Sequence, residues 1–225
     1  MMRLDPESDV LIVVDVQPDF MPGGALPVPD GDAVVPVANR LLAHFAQAVA
    51  TQDWHPPGHL SFASQHPGVP PFGTVRLPYG EQTVWPDHCL IGSPGAALHP
   101  GLDQARLRAV FRKGFRRAVD SYSGFVENDR VTRTGLDGYL REVGAKRVFL
   151  CGLATDFCVA ATALGAAERG FETLVVSDAC RAIAAPLPDG SSTLEAAWTA
   201  LQAAGVRTVQ SQELHGGGEP GSPSA

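Results

Sequence analysis

The segment Val10-Leu11-Ile12-Val13-Val14-Asp15 is a continuous apolar run that ends on a carboxylate. An unbroken run of Val, Ile and Leu, without the alternation of a half-exposed strand, is typical of a strand buried on both faces of a parallel sheet. The run is too short for a signal sequence or a membrane span, and Asp15 interrupts it. It therefore predicts a central strand of an α/β protein.

Similar apolar segments recur along the chain, and amphipathic segments separate most of them. The predicted strands are residues 10–14, 48–53, 107–111, 147–151, 173–177 and 206–209. The predicted helices are residues 32–45, 136–143, 156–169 and 192–203, with Asp32 as the N-cap of the first and Thr155 or Asp156 as the N-cap of the third. Alternating strands and helices favour right-handed crossovers. We therefore expect a three-layer α/β/α fold around a six-stranded, mainly parallel sheet.

The composition narrows the class of partner. The chain has 225 residues, with 17 basic and 24 acidic side chains and a formal charge of -7. Negative charge repels phosphate backbones and anionic lipid, so we expect a small-molecule partner and neither nucleic acid nor a membrane. The four cysteines form no CxxC pair, which predicts free thiols and a cytoplasmic setting.

The distribution of Pro, Gly and Ser suggests where the domain begins and ends. We expect an N-terminal extension at residues 1–8, a single domain at residues 9–214, and a disordered tail at residues 215–225, which is rich in Gly, Ser and Pro. The sequence leaves the oligomeric state open, including a homo-oligomer.

Three reactive side chains lie at or beyond the carboxyl ends of predicted strands: Asp15, Lys113 and Cys158. Ligands of parallel sheets bind at these ends, so we expect the three to meet. Cys158 falls in the first turn of a helix, where free N–H groups and the helix dipole stabilise a thiolate. An acid, a lysine and a thiol suit covalent acyl transfer. Taken singly, Asp15 could equally cap a turn, and Lys113 could belong to a solvated charge run.

A second group of residues has the composition of a metal site. Asp53 ends a predicted strand and His55 follows two positions later, so in an extended chain both side chains project from one face, and a Pro-rich loop could return His88 to them. Imidazole with carboxylate suits Zn, Fe or Mn. A purely structural role for loop histidines is equally open. His66 and His99 have no acidic or histidine neighbour at ligand spacing, and we assign them structural roles.

Six segments, in order, resemble the sequence blocks of the nicotinamidases (nicotinamidase/pyrazinamidase) among the isochorismatase-like cysteine hydrolases. They are Asp15-Val16-Gln17-Pro18-Asp19-Phe20, Gln52-Asp53-Trp54-His55-Pro56, Trp85-Pro86-Asp87-His88-Cys89, Lys113-Gly114, Asp120-Ser121-Tyr122-Ser123-Gly124-Phe125 and Gly152-Leu153-Ala154-Thr155-Asp156-Phe157-Cys158-Val159. The resemblance implies an isochorismatase-like fold and the metal-dependent deamidation of nicotinamide to nicotinate and ammonia, through a thioester, in NAD salvage.

The resemblance also implies a role for each matched residue. The catalytic triad would be Asp15, Lys113 and Cys158, with the backbone N–H groups of Ala154 and Cys158 as the oxyanion hole. One divalent transition metal, zinc before iron or manganese, would bind Asp53, His55 and His88, with His59 nearby as a possible ligand. The substrate pocket would be formed by Phe20, Trp85, Tyr122, Leu153 and Ala154, with a cis peptide bond at Leu153–Ala154. Phe157 stands where some members carry Tyr or His.

Three other interpretations stay open at this point. Another amidase of the same superfamily would share the triad and act on a different small amide. A mononuclear iron oxygenase would use the two histidines and one carboxylate as its metal triad. A non-catalytic binding module would keep the fold without turnover.

Overall fold

The computed structural model describes residues 1–216. The strands are β1 (Met2–Arg3), β2 (Asp9–Val14), β3 (Gln47–Asp53), β4 (Thr74–Leu77), β5 (Gly80–Thr83), β6 (Ala109–Lys113), β7 (Arg147–Leu153), β8 (Glu172–Arg181), β9 (Arg207–Val209) and β10 (Leu214–His215). The α-helices are α1 (Val34–His44), α2 (Leu136–Glu142), α3 (Ala160–Glu168) and α4 (Thr193–Ala203).

Six strands form the central sheet, in the order β6-β3-β2-β7-β8-β9. Every pairing in this sheet is parallel. All six residues of β2 and all seven of β3 are buried, because helices and loops cover both faces of the sheet. The helix α1 packs against β7 and β8, and α3 packs against β8 and α4. The predicted α/β fold with a six-stranded parallel sheet is confirmed.

Several predicted boundaries are wrong. The strand predicted at 107–111 is β6, which starts two residues later because its pairing with β3 begins at Ala109. The helix α1 starts at Val34, and Asp32 does not cap it. The helix predicted from residue 156 begins as a π-helical turn, Thr155–Val159, and becomes α-helical only at Ala160. Neither Thr155 nor Asp156 caps this segment, whose N-cap position is Ala154.

The two ends of the described chain meet in a small parallel pairing that the sequence did not predict. Met2 pairs with Leu214 and Arg3 with His215. His215, which we assigned to the tail, is thus part of β10. Gly216 is also described, and the rest of that predicted tail, residues 217–225, lies outside the described residues. The antiparallel hairpin of β4 and β5 within the Pro-rich region was likewise not predicted. Within residues 1–216, no helix has the length and apolar character needed to cross a membrane.

Candidate active site

The sheet order brings the carboxyl ends of four adjacent strands together. Asp15 follows the last residue of β2, and Lys113 is the last residue of β6, where it pairs with Asp53 at the end of β3. Cys158 lies in the π-helical turn after β7. Gly152 in β7 lets this strand approach the end of β2 closely, since a Cβ at Gly152 would lie 2.1 Å from the carbonyl oxygen of Val14.

Lys113 is the centre of a buried polar cluster. Its Nζ lies 2.9 Å from Asp15 Oδ2 and 2.5 Å from Asp53 Oδ1. The same ammonium group donates to the carbonyl oxygen of Ser121 at 2.8 Å and lies 3.3 Å from Cys158 Sγ. The three residues predicted as a triad are therefore in mutual reach, with Lys113 fully buried between two carboxylates.

Burial and neighbouring charges shift the pKa of each titratable group in this cluster. Burial raises the pKa of Asp15, although the Lys113 ammonium group and a 2.7 Å hydrogen bond from Thr51 Oγ1 oppose that rise. Burial opposes the charge on Lys113, but the Asp15 and Asp53 carboxylates outweigh it and raise the pKa of the lysine. Burial raises the pKa of Cys158 well above its usual value, and Lys113 only partly opposes this.

Burial therefore favours the thiol form of the Cys158 side chain, and the Asp15 and Asp53 carboxylates act in the same direction. The stabilisation of a thiolate by the helix start stays a prediction. A thiol needs a base in order to attack. A carboxylate oxygen of Asp15 lies within 4.8 Å of the sulfur, which makes Asp15 a suitable proton acceptor.

The predicted metal residues also meet. The Nε2 atoms of His55 and His88 lie 3.6 and 3.8 Å from Asp53 Oδ2. The Nδ1 atoms of the two rings lie 2.8 Å from the carbonyl oxygen of Gly114 and 2.7 Å from that of Pro86. Donation from each Nδ1–H to a carbonyl fixes the ring and leaves the Nε2 lone pair facing Asp53. Two imidazole nitrogens and one carboxylate oxygen fit a transition-metal ion.

His59 lies beside this group, and both of its nitrogens contact other protein atoms. Its Nδ1 lies 2.7 Å from Ser61 Oγ, and its Nε2 lies 3.2 Å from the carbonyl oxygen of Val119. Burial and the neighbouring His55 lower the pKa of His59 to about 4, so its ring is neutral at pH 7. His66 and His99 hydrogen-bond backbone atoms, as expected of structural histidines.

An apolar pocket connects Cys158 with Asp53 and His88. It is lined by Phe20, Leu26, Val28, Asp53, Trp85, His88, Asp120, Tyr122, Ala154, Phe157, Cys158 and Ile183. The indole N–H of Trp85 donates to the hydroxyl oxygen of Tyr122 at 3.1 Å, and the ring of Phe157 meets Trp85 edge-on at 4.9 Å. These contacts hold three aromatic rings around a space suited to a flat ring.

Two adjacent residues that we predicted for the pocket, Leu153 and Ala154, lie in different surroundings. The side chain of Leu153 is fully buried beside Gly31 and does not line the pocket. The peptide bond between Leu153 and Ala154 is cis, as the resemblance implied. Ala154 does line the pocket.

The comparison with known families identifies the fold. A family model described as the isochorismatase domain matches residues 9–213. The chain belongs to the isochorismatase family.

Named relatives within the isochorismatase family are similar over most of the chain. The nicotinamidase of Acinetobacter baylyi is 49% identical over 204 residues, which cover 91% of this chain and 93% of the relative. A solved nicotinamidase and pyrazinamidase of Acinetobacter baumanii is 48% identical, with a TM-score of 0.89 over 93% of this chain and 99% of that one. The pyrazinamidase of Pyrococcus horikoshii in complex with zinc is 37% identical, with a TM-score of 0.72 over 91% and 99%.

Several residues that build this isochorismatase-family site were not predicted from the sequence. Gln17 is fully buried, accepts from the backbone N–H of Asp53 at 2.8 Å, and donates to the carbonyl oxygens of Asp53 and Ala96 at 2.9 Å. It thereby joins the catalytic and metal segments. Leu26, Val28, Asp120 and Ile183 were not predicted to line the pocket. Only Gln17 and Asp120 lay inside a recognised block, so the apolar wall residues carried no signal.

Proposed function

We propose that the protein is a cysteine amidohydrolase that deamidates nicotinamide to nicotinate and ammonia, with Cys158 as the nucleophile. The observation that carries the proposal is the position of Lys113 Nζ, 3.3 Å from Cys158 Sγ and 2.9 Å from Asp15 Oδ2, beside an aromatic pocket that reaches both Cys158 and His88. The similarity to named nicotinamidases supports the same substrate.

Acylation begins with proton transfer. Asp15 accepts the thiol proton of Cys158 as the sulfur attacks the carboxamide carbon. Lys113 lies against both groups and favours the ionised form of each. The backbone N–H groups of Ala154 and Cys158 stabilise the negative charge that forms on the amide oxygen. The C–N bond then breaks, Asp15 returns its proton to the nitrogen, and ammonia leaves a thioester on Cys158.

Deacylation uses the same acid and base. Asp15 accepts a proton from water, the water oxygen attacks the thioester carbon, and the bond between carbon and sulfur breaks. Nicotinate leaves, and Cys158 regains a proton. Each cycle consumes one nicotinamide and one water and releases one nicotinate and one ammonia.

The chain also holds and orients the ring. Phe20 and Trp85 flank it, and Tyr122 and Phe157 close the aromatic side of the pocket. Asp53, His55 and His88 would hold one divalent transition-metal ion, zinc before iron or manganese, and His59 remains outside their group. When bound, the ion supplies a Lewis-acid anchor for the pyridine nitrogen. A similar pyrazinamidase, that of Pyrococcus horikoshii, was solved in complex with zinc, which supports zinc as the metal.

The four cysteines are free and buried, which supports a reducing, cytoplasmic setting. There the reaction would return nicotinamide to NAD salvage as nicotinate.

We also propose that residues 9–214 form one catalytic domain.

A substrate panel tests the proposal. Ammonia release is measured with the purified, metal-loaded protein on nicotinamide, pyrazinamide, benzamide and an aliphatic amide. We expect nicotinamide to turn over, and benzamide, which lacks the ring nitrogen, to be poor. Turnover of another small amide without turnover of nicotinamide would favour the alternative, a different amidase of the family.

A further inference from the structure

The loop between β8 and α4 supplies one wall of the pocket through Ile183. Three consecutive backbone N–H groups of this loop are satisfied by two side chains. Ile183 donates to Asp156 Oδ1 at 3.1 Å, and Ala184 donates to Asp156 Oδ2 at 2.8 Å. Ala185 donates to Thr193 Oγ1 at 2.9 Å. The Thr193 hydroxyl itself donates to Asp156 Oδ2 at 2.6 Å, which closes the network.

The backbone of this loop needs such support. Ala184 has a φ of +54°, in the left-handed region that side-chain-bearing residues seldom adopt. A conformation of this kind persists only where its surroundings enforce it. The carboxylate of Asp156 bonds the amide of Ala184 and the amide before it, so it is the main enforcing group.

Asp156 lies in the same π-helical turn as Cys158. Its carboxylate bonds the loop and the start of α4, and it does not line the pocket. Asp156 thus connects the segment that carries the nucleophile to the wall that faces it. No step of the reaction described above uses it.

We propose that Asp156 is a positioning residue that fixes Ile183 and thereby sets the width of the substrate pocket. The inference rests on the proposed nicotinamidase activity and adds a substrate class to it: flat, neutral, single-ring carboxamides without substituents on the ring. Leu26, Val28, Phe157 and Ile183 all present hydrocarbon to the pocket. A ring substituent that pointed at the Ile183 wall could be accommodated only if that wall moved, and Asp156 holds it.

The first test separates binding from chemistry. Asp156→Asn keeps one carbonyl oxygen, but its NH₂ group must face a backbone N–H or the Thr193 hydroxyl, so part of the network is lost. We expect the KM for nicotinamide to rise about tenfold, the equivalent of one lost hydrogen bond to a charged group, while kcat changes far less. Thr193→Val, which leaves the nucleophile turn intact, should raise KM in the same direction and by less.

The matched control is Asp189→Asn, at the exposed tip of the same loop, where the carboxylate accepts from the backbone and hydroxyl of Ser191. Its kinetics should equal those of the wild type. If Asp156→Asn does not fold, Thr193→Val carries the test alone. A fall in kcat at unchanged KM in both variants would overturn the proposal, because it would place the effect on the nucleophile.

The second test measures pocket width with nicotinamides that carry a methyl group at ring position 5 or 6. Ile183→Ala enlarges the pocket at the Ile183 wall. For the isomer whose methyl group enters that space, the ratio of its kcat/KM to that of nicotinamide should rise about tenfold. Asp156→Asn should raise the relative kcat/KM for the same isomer. The effects of Asp156→Asn and Ile183→Ala should not add in the double variant. If neither isomer gains, the proposal is wrong. A wild type that does not hydrolyse nicotinamide would instead refute the proposed function.

Discussion

Replacing Lys113 by Met removes the ammonium group and keeps an unbranched side chain of similar length. In the wild type that group lies 2.5 Å from Asp53 Oδ1, 2.9 Å from Asp15 Oδ2 and 3.3 Å from Cys158 Sγ. All four side chains are buried. Lys113→Met therefore leaves two carboxylates close together in the interior without a counter-charge.

The expected cost follows from that geometry. Removing one partner of a buried ion pair costs about 3–5 kcal/mol of unfolding free energy. The two carboxylates relieve their repulsion by taking up a proton. Burial already raises the pKa of Asp15, so Asp15 takes that proton and cannot accept another from Cys158. Loss of a general base lowers kcat by about 10²- to 10⁴-fold.

Two assays measure these effects. Urea denaturation gives the free energy of unfolding, and ammonia release from nicotinamide gives kcat. The control is Arg112→Met, one residue earlier on β6, where the exposed guanidinium lies 4.1 Å from the centre of the Trp54 ring. Loss of that exposed contact should cost less than about 1 kcal/mol and leave kcat unchanged. Equal stability and equal turnover in the two variants would refute the role of Lys113.

The remaining predictions concern the base, the metal and a distant carboxyl group. Asp15→Asn should lower kcat. Because Asp15 and Lys113 act as one unit, the loss of kcat in the double variant with Lys113→Met should be far smaller than the product of the two single losses. Multiplicative losses in the ammonia assay would contradict this. Chelation or His88→Ala should chiefly raise the KM for nicotinamide, and mass spectrometry should find no accumulated acyl group on Cys158; accumulation would assign the metal to water activation. Burial raises the pKa of Glu127 from 4.5 to about 7. A carboxyl group with a raised folded-state pKa contributes stability that is complete below the unfolded value and is lost as pH rises through the folded value. Glu127→Gln should therefore flatten the decline in melting temperature between about pH 5 and pH 8, and an unchanged slope would contradict it.

The sequence was sufficient to predict the site residues that lie at the carboxyl ends of strands. A continuous apolar run such as residues 10–14 is typical of a strand buried on both faces of a parallel sheet, and the carboxyl ends of neighbouring parallel strands lie at the same edge. Asp15, Lys113 and Cys158 met for that reason. Asp53 is the last residue of β3 and His55 follows two positions later, and the loop that pairs with His55 through Leu90 brings His88 to both.

The sequence was insufficient where tertiary contacts override local pattern. The strand predicted at 173–177 continues as β8 to Arg181, through a register shift against β7 that follows Leu150. The polar residues Ser177 and Asp178 are not typical of a buried strand, so the sequence did not predict this continuation. For the same reason it did not predict that Ile183 lines the pocket.

Turnover of nicotinamide by the wild type and by Cys158→Ala, measured side by side as ammonia release, tests the central claim most directly. Cys151→Ala serves as the control, because Cys151 is fully buried within β7 and lies outside the pocket. We predict turnover in the wild type and in Cys151→Ala, and none in Cys158→Ala, with all three proteins folded. Substantial ammonia release by Cys158→Ala would contradict a thioester mechanism on that cysteine.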